Sequence, residues 1–159
     1  MTVLVWITED TWAACVDAAR TLAPADRDVT LLHVLDSAAL AAARGAFGGL
    51  LGRAAPDPTA RLEAMADEAV TELLDAAEDR LGRPAGRIRR HGRPEHQVTA
   101  AARDATLLVV ARQGAEAGPK SLGHAARFVV DHAPCPVLLI WPGPVPAARH
   151  GLPHPPKER

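Results

Sequence analysis

Residues Thr106 to Trp141 read TLLVVARQGAEAGPKSLGHAARFVVDHAPCPVLLIW. An apolar run, Thr106–Ala111, leads into a loop punctuated by glycine. A short helical segment follows from about Gly123 to His132, and then a second apolar run, Val137–Trp141. Apolar runs without polar alternation suit strands buried on both faces, as in a parallel sheet. Parallel neighbours need a crossover between them, and the helical segment supplies it. A glycine-bearing loop between such a strand and helix has the layout of a cradle for a nucleotide phosphate.

The same pattern recurs upstream. Val3–Ile7 (VLVWI) reads as a buried strand, and Glu9, Asp10 and Thr11 offer caps and negative charge to a helix reaching about Ala23, where Pro24 stops it. Val29–Leu35 (VTLLHVL) is a second strand. Asp57-Pro58 gives a helix start, Asp57 as N-cap and Pro58 at the first helical position. Leu62, Met65, Ala66, Ala69, Leu73, Ala76 and Ala77 then recur at helical spacing, and Gly82 closes the helix. Arg87–Arg90 (RIRR) reads as a third strand, near a sheet edge because of its charge. Pro94–Asp104 is a short amphipathic helix leading into Thr106. Segment 37–55, rich in Ala and Gly, has no clear period, with Leu40, Phe47, Leu50 and Leu51 as its large apolar residues.

Strands alternating with helices predict one α/β domain with a doubly wound parallel sheet of five strands. Its range is 1–142, and 143–159 reads as a Pro-rich disordered tail. In such folds ligands sit at the carboxyl ends of the strands, near the point where strand order reverses, so the ends of the first and fourth strands are the positions of interest.

Composition removes several classes of function. Eighteen Lys and Arg against 19 Asp and Glu leave a net charge of −1, with no excess to neutralise a nucleic-acid backbone. Aromatic residues make up 3%, too few for a base-stacking platform. Cys15 and Cys135 fit neither a disulfide framework nor a metal spacing and read as small apolar residues. The N-terminus enters a strand without the features of a signal peptide, and no apolar run is long enough to span a bilayer, so a cytoplasmic protein without membrane attachment is expected. There is no Gly-x-Ser-x-Gly elbow, Walker A loop or Rossmann fingerprint, and the sequence is not expected to encode an enzyme. His91, Glu95 and His96 follow no zinc spacing and read as surface residues, and His150 and His154 lie in the tail. His33 reads as a satisfied histidine within the sheet, and Asp36 as either a turn residue or a ribose contact.

Four segments together resemble the universal stress protein family. These are LLHVLD (31–36), GRPEHQVTAAARDATLLVVARQG (92–114), LGH (122–124) and HAPCPVLLIWP (132–142). The resemblance spans residues 1 to about 142 and implies strand order 3-2-1-4-5, similar to flavodoxin and the adenine-nucleotide hydrolases. It also implies a homodimer along the fifth strand, here Val137, Leu138, Leu139 and Ile140. Members that bind ATP resemble one another in a loop Gly-x2-Gly-x9-Gly-Ser/Thr and an Asp ending the first strand. By that resemblance Thr8, Val34, Ala111, Arg112, Gly114, Gly123, His124 and Ala125 would surround ATP or AMP, with Mg.

This chain departs from that loop. Ala111 stands at the first glycine and His124 at the hydroxyl position, and the spacer AEAGPKSL is one residue short. Thr8 or Ile7 stands where the Asp would be, with Asp10 just downstream. Gly118, Ser121 and the cations Arg112, Lys120 and Arg127 offer compensation, and neutral His124 could still donate a hydrogen bond. Two readings stay open: a nucleotide-responsive dimer, or a nucleotide-independent dimeric interaction protein with an unidentified protein partner and a vestigial loop. An enzyme acting on small phosphorylated compounds is a distant third.

Overall fold

The computed structural model describes residues 1–38, 41–42, 45, 59–113 and 121–143 of the 159-residue chain. Among the described residues there are five strands: β1 (Thr2–Ile7), β2 (Asp28–Asp36), β3 (Gly86–Gly92), β4 (Ala105–Ala111) and β5 (Val137–Ile140). The helices whose bounds lie among the described residues are α1 (Trp12–Leu22), α2 (Thr59–Leu81), α3 (Pro94–Ala101) and α4 (His124–His132), with a 3-10 turn at Ala102–Asp104. All strand pairings are parallel, as the alternation of strands and helices predicts, and the order is β3-β2-β1-β4-β5, as the family resemblance implies.

Alternation along β1 divides the core. Val3, Val5 and Ile7 face Cys15, Val16 and Ala19 of α1 and Val70, Leu74, Ala77 and Leu81 of α2. Leu4 and Trp6 face the opposite layer, where Val98 and Ala101 of α3 and Ala126 and Val129 of α4 cover Leu32, Val34, Leu108 and Val110. Both faces are therefore covered, which explains why β1 and β4 read as continuous apolar runs. The chain leaves β1 toward one face and enters β4 from the other, so a crevice opens beyond the carboxyl ends of these two strands.

The sequence reading missed part of α2. Its most buried side chains are Val70, Leu74, Ala77 and Leu81, whereas Met65 is 58% exposed and Ala69 is exposed. Alanines on several sides of the helix blur the apolar stripe, and only the C-terminal half of α2 lies over the sheet. Gly82, with φ of +73°, ends the helix in the left-handed region open to glycine, its N–H bonded to the Glu78 carbonyl 3.1 Å away. β3 is longer than Arg87–Arg90 and lies at the sheet edge. There Arg87 is ion-paired to Asp75 and Glu78 of α2. The helix expected over 94–104 breaks into α3 and the 3-10 turn, α4 starts at His124 with Gly123 as its N-cap, and β5 ends at Ile140 rather than Trp141.

Thr11 is the N-cap of α1, but its side chain does not cap it and the first turn holds no acidic residue. The Thr8 carbonyl accepts from the N–H groups of Thr11 (3.2 Å) and Trp12 (3.0 Å) instead. Asp57, Pro58, most of segment 37–55 and the tail lie outside the described residues. No helix among the described residues is long and apolar enough to cross a membrane.

Candidate functional site

The sheet gathers most of the predicted positions at one end. Ile7 is level with His33 in the β1–β2 register, which sets Thr8, just past β1, beside Val34. Ala111 ends β4 on the other side of β1. The crevice is thus bordered by the ends of β2, β1 and β4 in that order, with the opening turn of α4 above β4.

Two of these residues serve the core. Val34 is 7% exposed and packs in the layer under α3 and α4, and Ala111, 6% exposed, packs in the layer under α1 and α2. Thr8 and Thr11 share a hydrogen bond between hydroxyls 2.7 Å apart. Thr11 also reaches the Cys15 thiol, as does the backbone of Ala111. Burial pushes this thiol up to about 12, against the weaker opposing effect of those two hydrogen bonds, so Cys15 stays protonated and serves as an apolar filler. His33 is buried, and its Nδ1 lies 3.0 Å from the Ile7 carbonyl. A carbonyl can only accept, so Nδ1 carries the proton and the ring ties β2 to the end of β1. Asp36 Oδ1 accepts from the Ala38 N–H at 2.8 Å, which is turn chemistry.

The loop after β4 is closed across its base. The Arg112 N–H donates to the Ile140 carbonyl (2.8 Å), and the Gln113 N–H donates to the Ser121 carbonyl (2.9 Å). Ser121 is 1% exposed, and its hydroxyl accepts from the Arg112 guanidinium. The same guanidinium sits 4.8 Å from the centre of the Trp141 ring. Arg112 therefore joins the end of β4, the entry to α4 and the end of β5. Gly123 follows as N-cap of α4, with His124 exposed and Ala125 half-buried in the first turn. Gly114, Gly118 and Lys120 lie outside the described residues.

Two contributors were harder to foresee. Trp141, read as the last residue of a strand, is the platform for Arg112. Gln113 was given no role, yet a Cβ added to Gly123 would lie 2.0 Å from its Oε1. The only hint was a polar residue with reach, two positions past a strand end. Nothing among the described residues groups three metal-ligating side chains, and His91, Glu95 and His96 are no exception. A cavity of about 220 Å³ opens at the other end of the sheet, beside Thr2, Leu4 and Asp104, and no predicted site residue borders it.

Comparison with known proteins agrees with the fold. The model of the universal stress protein family matches residues 1–140. Among solved structures, the hypothetical protein MJ0577 superposes with a TM-score of 0.66 at 17% identity, covering 88% of this chain and 94% of that one. A universal stress protein in complex with cAMP gives 0.58 at 16% identity, covering 90% and 98%. Universal stress protein UspA from Lactobacillus plantarum gives 0.56 at 19% identity, covering 88% and 97%. At these identities the likeness is one of fold. No curated protein matches the chain.

Proposed function

The chain belongs to the universal stress protein family, and on that premise we propose that it is a cytoplasmic, dimeric stress-response module that holds an adenine nucleotide, ATP or AMP, beyond the carboxyl ends of β1, β2 and β4. One observation carries the reading. The base of the loop after β4 is tied to the entry of α4 through the Gln113–Ser121 backbone bond, so the amides opening α4 stand beside the crevice where strand order reverses. Amides at a helix N-terminus are oriented donors at a positive dipole end, and an anion is their natural partner. A structural neighbour's description as a complex with cAMP is consistent with such a ligand class.

The donor set suits phosphate better than metal. Where the ATP-binding members that this chain resembles carry an Asp, Thr8 or Ile7 stands here, and the Thr8 hydroxyl is taken up by Thr11. Magnesium would therefore arrive on the nucleotide, held by phosphate oxygens and water. Among the described residues no group at the crevice pairs a nucleophile with a base, and the Cys15 thiol is held protonated, so binding without turnover is the proposed activity.

The proposed dimer rests on the contrast between the two sheet edges. β3 carries Arg87, Arg89 and Arg90, a charged edge of the kind that resists pairing. β5 is VLLI. Leu108 bonds to the Pro136 carbonyl and Arg112 to the Ile140 carbonyl, so even-numbered residues of β5 turn their backbone to β4, and Val137 and Leu139 turn theirs to the open edge. A second copy of β5 could pair there.

The alternative is a dimer that engages a protein partner without nucleotide. It is favoured by the commitment of Arg112 to Ser121 and Trp141 rather than to the crevice. Calorimetric titration with ATP plus magnesium, and with AMP, separates the two, after the denatured protein has been checked for co-purified nucleotide. Saturable heat that disappears in Gly123→Val supports the nucleotide reading. No heat up to millimolar ligand, with no carried-over nucleotide, supports the alternative.

A further inference from the structure

We propose that the cavity at the amino ends of the strands is a second binding site, suited to a small free amino acid with an apolar side chain. Its carboxylate meets Arg90, its ammonium meets Asp104, and its side chain lies against Leu4 and Ile88. The site is at the opposite end of the sheet from the nucleotide crevice, and the inference is independent of the nucleotide reading.

The cavity follows from the alternation of the strands. Leu4, Leu32 and Ile88 belong to the layer under α3, so Thr2, Thr30 and Arg90, each two positions from one of them, stand on the same side of the sheet. The helical cover stops at Ala101, where α3 gives way to the 3-10 turn that ends at Asp104. Beyond that point a cavity of about 220 Å³ opens, with Leu4, Ile88 and Ala101 as its apolar lining and Thr2, Thr30, Arg90 and Asp104 at its border. Drug-sized ligands occupy roughly 300 Å³ or more, so this volume suits a molecule of amino-acid size rather than a nucleotide.

The polar side chains around it are uncommitted. Arg87 and Arg89, on the other side of β3, are engaged with Asp75 and Glu78 and with Thr71. Arg90 makes one long bond, 3.4 Å to the Gln97 carbonyl, and most of its N–H donors have no partner among the described residues. Thr2, Thr30 and Asp104 have no side-chain hydrogen bond or ion pair among the described residues, and Arg90 and Asp104 are not paired with each other. One cation, one carboxylate and two hydroxyls around an apolar lining match a zwitterion that carries an apolar group. Arg grips a carboxylate bidentately, and the carbonyl end of α3 adds negative potential on the side of Asp104, which favours an ammonium there.

The test is a titration of the isotope-labelled protein with L-leucine, followed in a two-dimensional amide spectrum. Isocaproate, which lacks the ammonium, and isoamylamine, which lacks the carboxylate, are titrated alongside. Saturable shifts should centre on Leu4, Thr30, Ile88 and Ala101, with Ile7 and Ala111 at the far end of the sheet unmoved. A hydrogen bond to a charged group at a site open to water corresponds to about tenfold in affinity, so leucine should bind about tenfold more tightly than either analogue. Arg90→Gln should weaken leucine and isocaproate about tenfold and spare isoamylamine, whereas Asp104→Asn should weaken leucine and isoamylamine and spare isocaproate. Arg90 is half-buried and Asp104 exposed, so both variants should keep the native circular dichroism. No saturable shift at tens of millimolar leucine, or binding that neither substitution alters, would overturn the site. Leucine binding no tighter than isocaproate, and untouched by Asp104→Asn, would overturn the assignment to a zwitterion.

Discussion

Replacing Arg112 by Ala removes the side chain that fastens three chain segments together, and its cost can be worked from the contacts. The guanidinium donates to the hydroxyl of Ser121, itself 1% exposed. A hydrogen bond from a charged donor contributes about 1.5–3 kcal/mol. Stacking 4.8 Å above the Trp141 ring adds about 0.5–1 kcal/mol where water still has access. Arg112 is half-buried and its loss removes a group that is hydrated in the unfolded chain, so the lower ends apply and the sum is about 2 kcal/mol. The backbone bond from Arg112 to Ile140 survives the substitution, and the sheet should keep its order. For a domain of this size, about 2 kcal/mol corresponds to a fall in melting temperature of about 4–8 °C. Urea unfolding followed by far-ultraviolet circular dichroism measures the stability change, with Trp141→Ala and the double variant completing a cycle. A loss under about 0.5 kcal/mol would refute the latch, because surface substitutions commonly fall within that range. Strict additivity with Trp141→Ala would refute the stacking contribution alone.

Other perturbations test separate parts of the structure. Leu74→Ala, at a side chain with no exposure between α2 and the sheet, should cost about 2–5 kcal/mol in urea unfolding, whereas Met65→Ala should cost under about 0.5 kcal/mol. Arg80 holds the Asp17 carboxyl below its usual range, and Arg87 does the same for Glu78. The folded state therefore binds fewer protons than the unfolded one, so this stabilisation is present above about pH 4 and is lost as pH falls through the lowered values; Asp17→Asn should flatten part of the acid limb of a melting-temperature profile. Light scattering should give twice 16.7 kDa for the native chain. Leu139→Pro, which deletes an outward-facing N–H on an edge strand, should give a monomer with unchanged circular dichroism, and a native mass near 16.7 kDa would exclude the dimer.

The strands were the most legible part of the sequence because two-sided burial leaves little room for polar residues. VLVWI and TLLVVA announce β1 and β4 without reference to anything distant. α2 was legible as a helix but not in its packing. Alanine is compatible with either face, and which turns lie over the sheet depends on where the helix starts relative to the strands. Charge identified β3 as an edge, although its length was set by pairing with Thr30–Asp36, which a propensity reading does not contain.

The candidate site was legible in outline, since the order of glycine, helix and strand points to the ends of β1 and β4. Its details arise from approaches between residues far apart in sequence. Arg112 meets Trp141 because β4 and β5 pair with Ala111 beside Ile140. Gln113 meets Gly123 because a backbone bond brings Ser121 to the strand end. The cation expected at a phosphate is instead spent on a ring and a hydroxyl, because both lie within its reach in the folded chain.

The central claim is that an adenine nucleotide binds between the end of β4 and the opening turn of α4. Its most direct test is a two-dimensional amide spectrum of the isotope-labelled protein recorded during titration with AMP. The account predicts saturable shifts concentrated at the amides of Ala111–Gln113 and Ser121–Ala125, with the far ends of the strands, Thr2, Asp28 and Ala105, unmoved. Shifts centred elsewhere, or none at millimolar AMP, would contradict it.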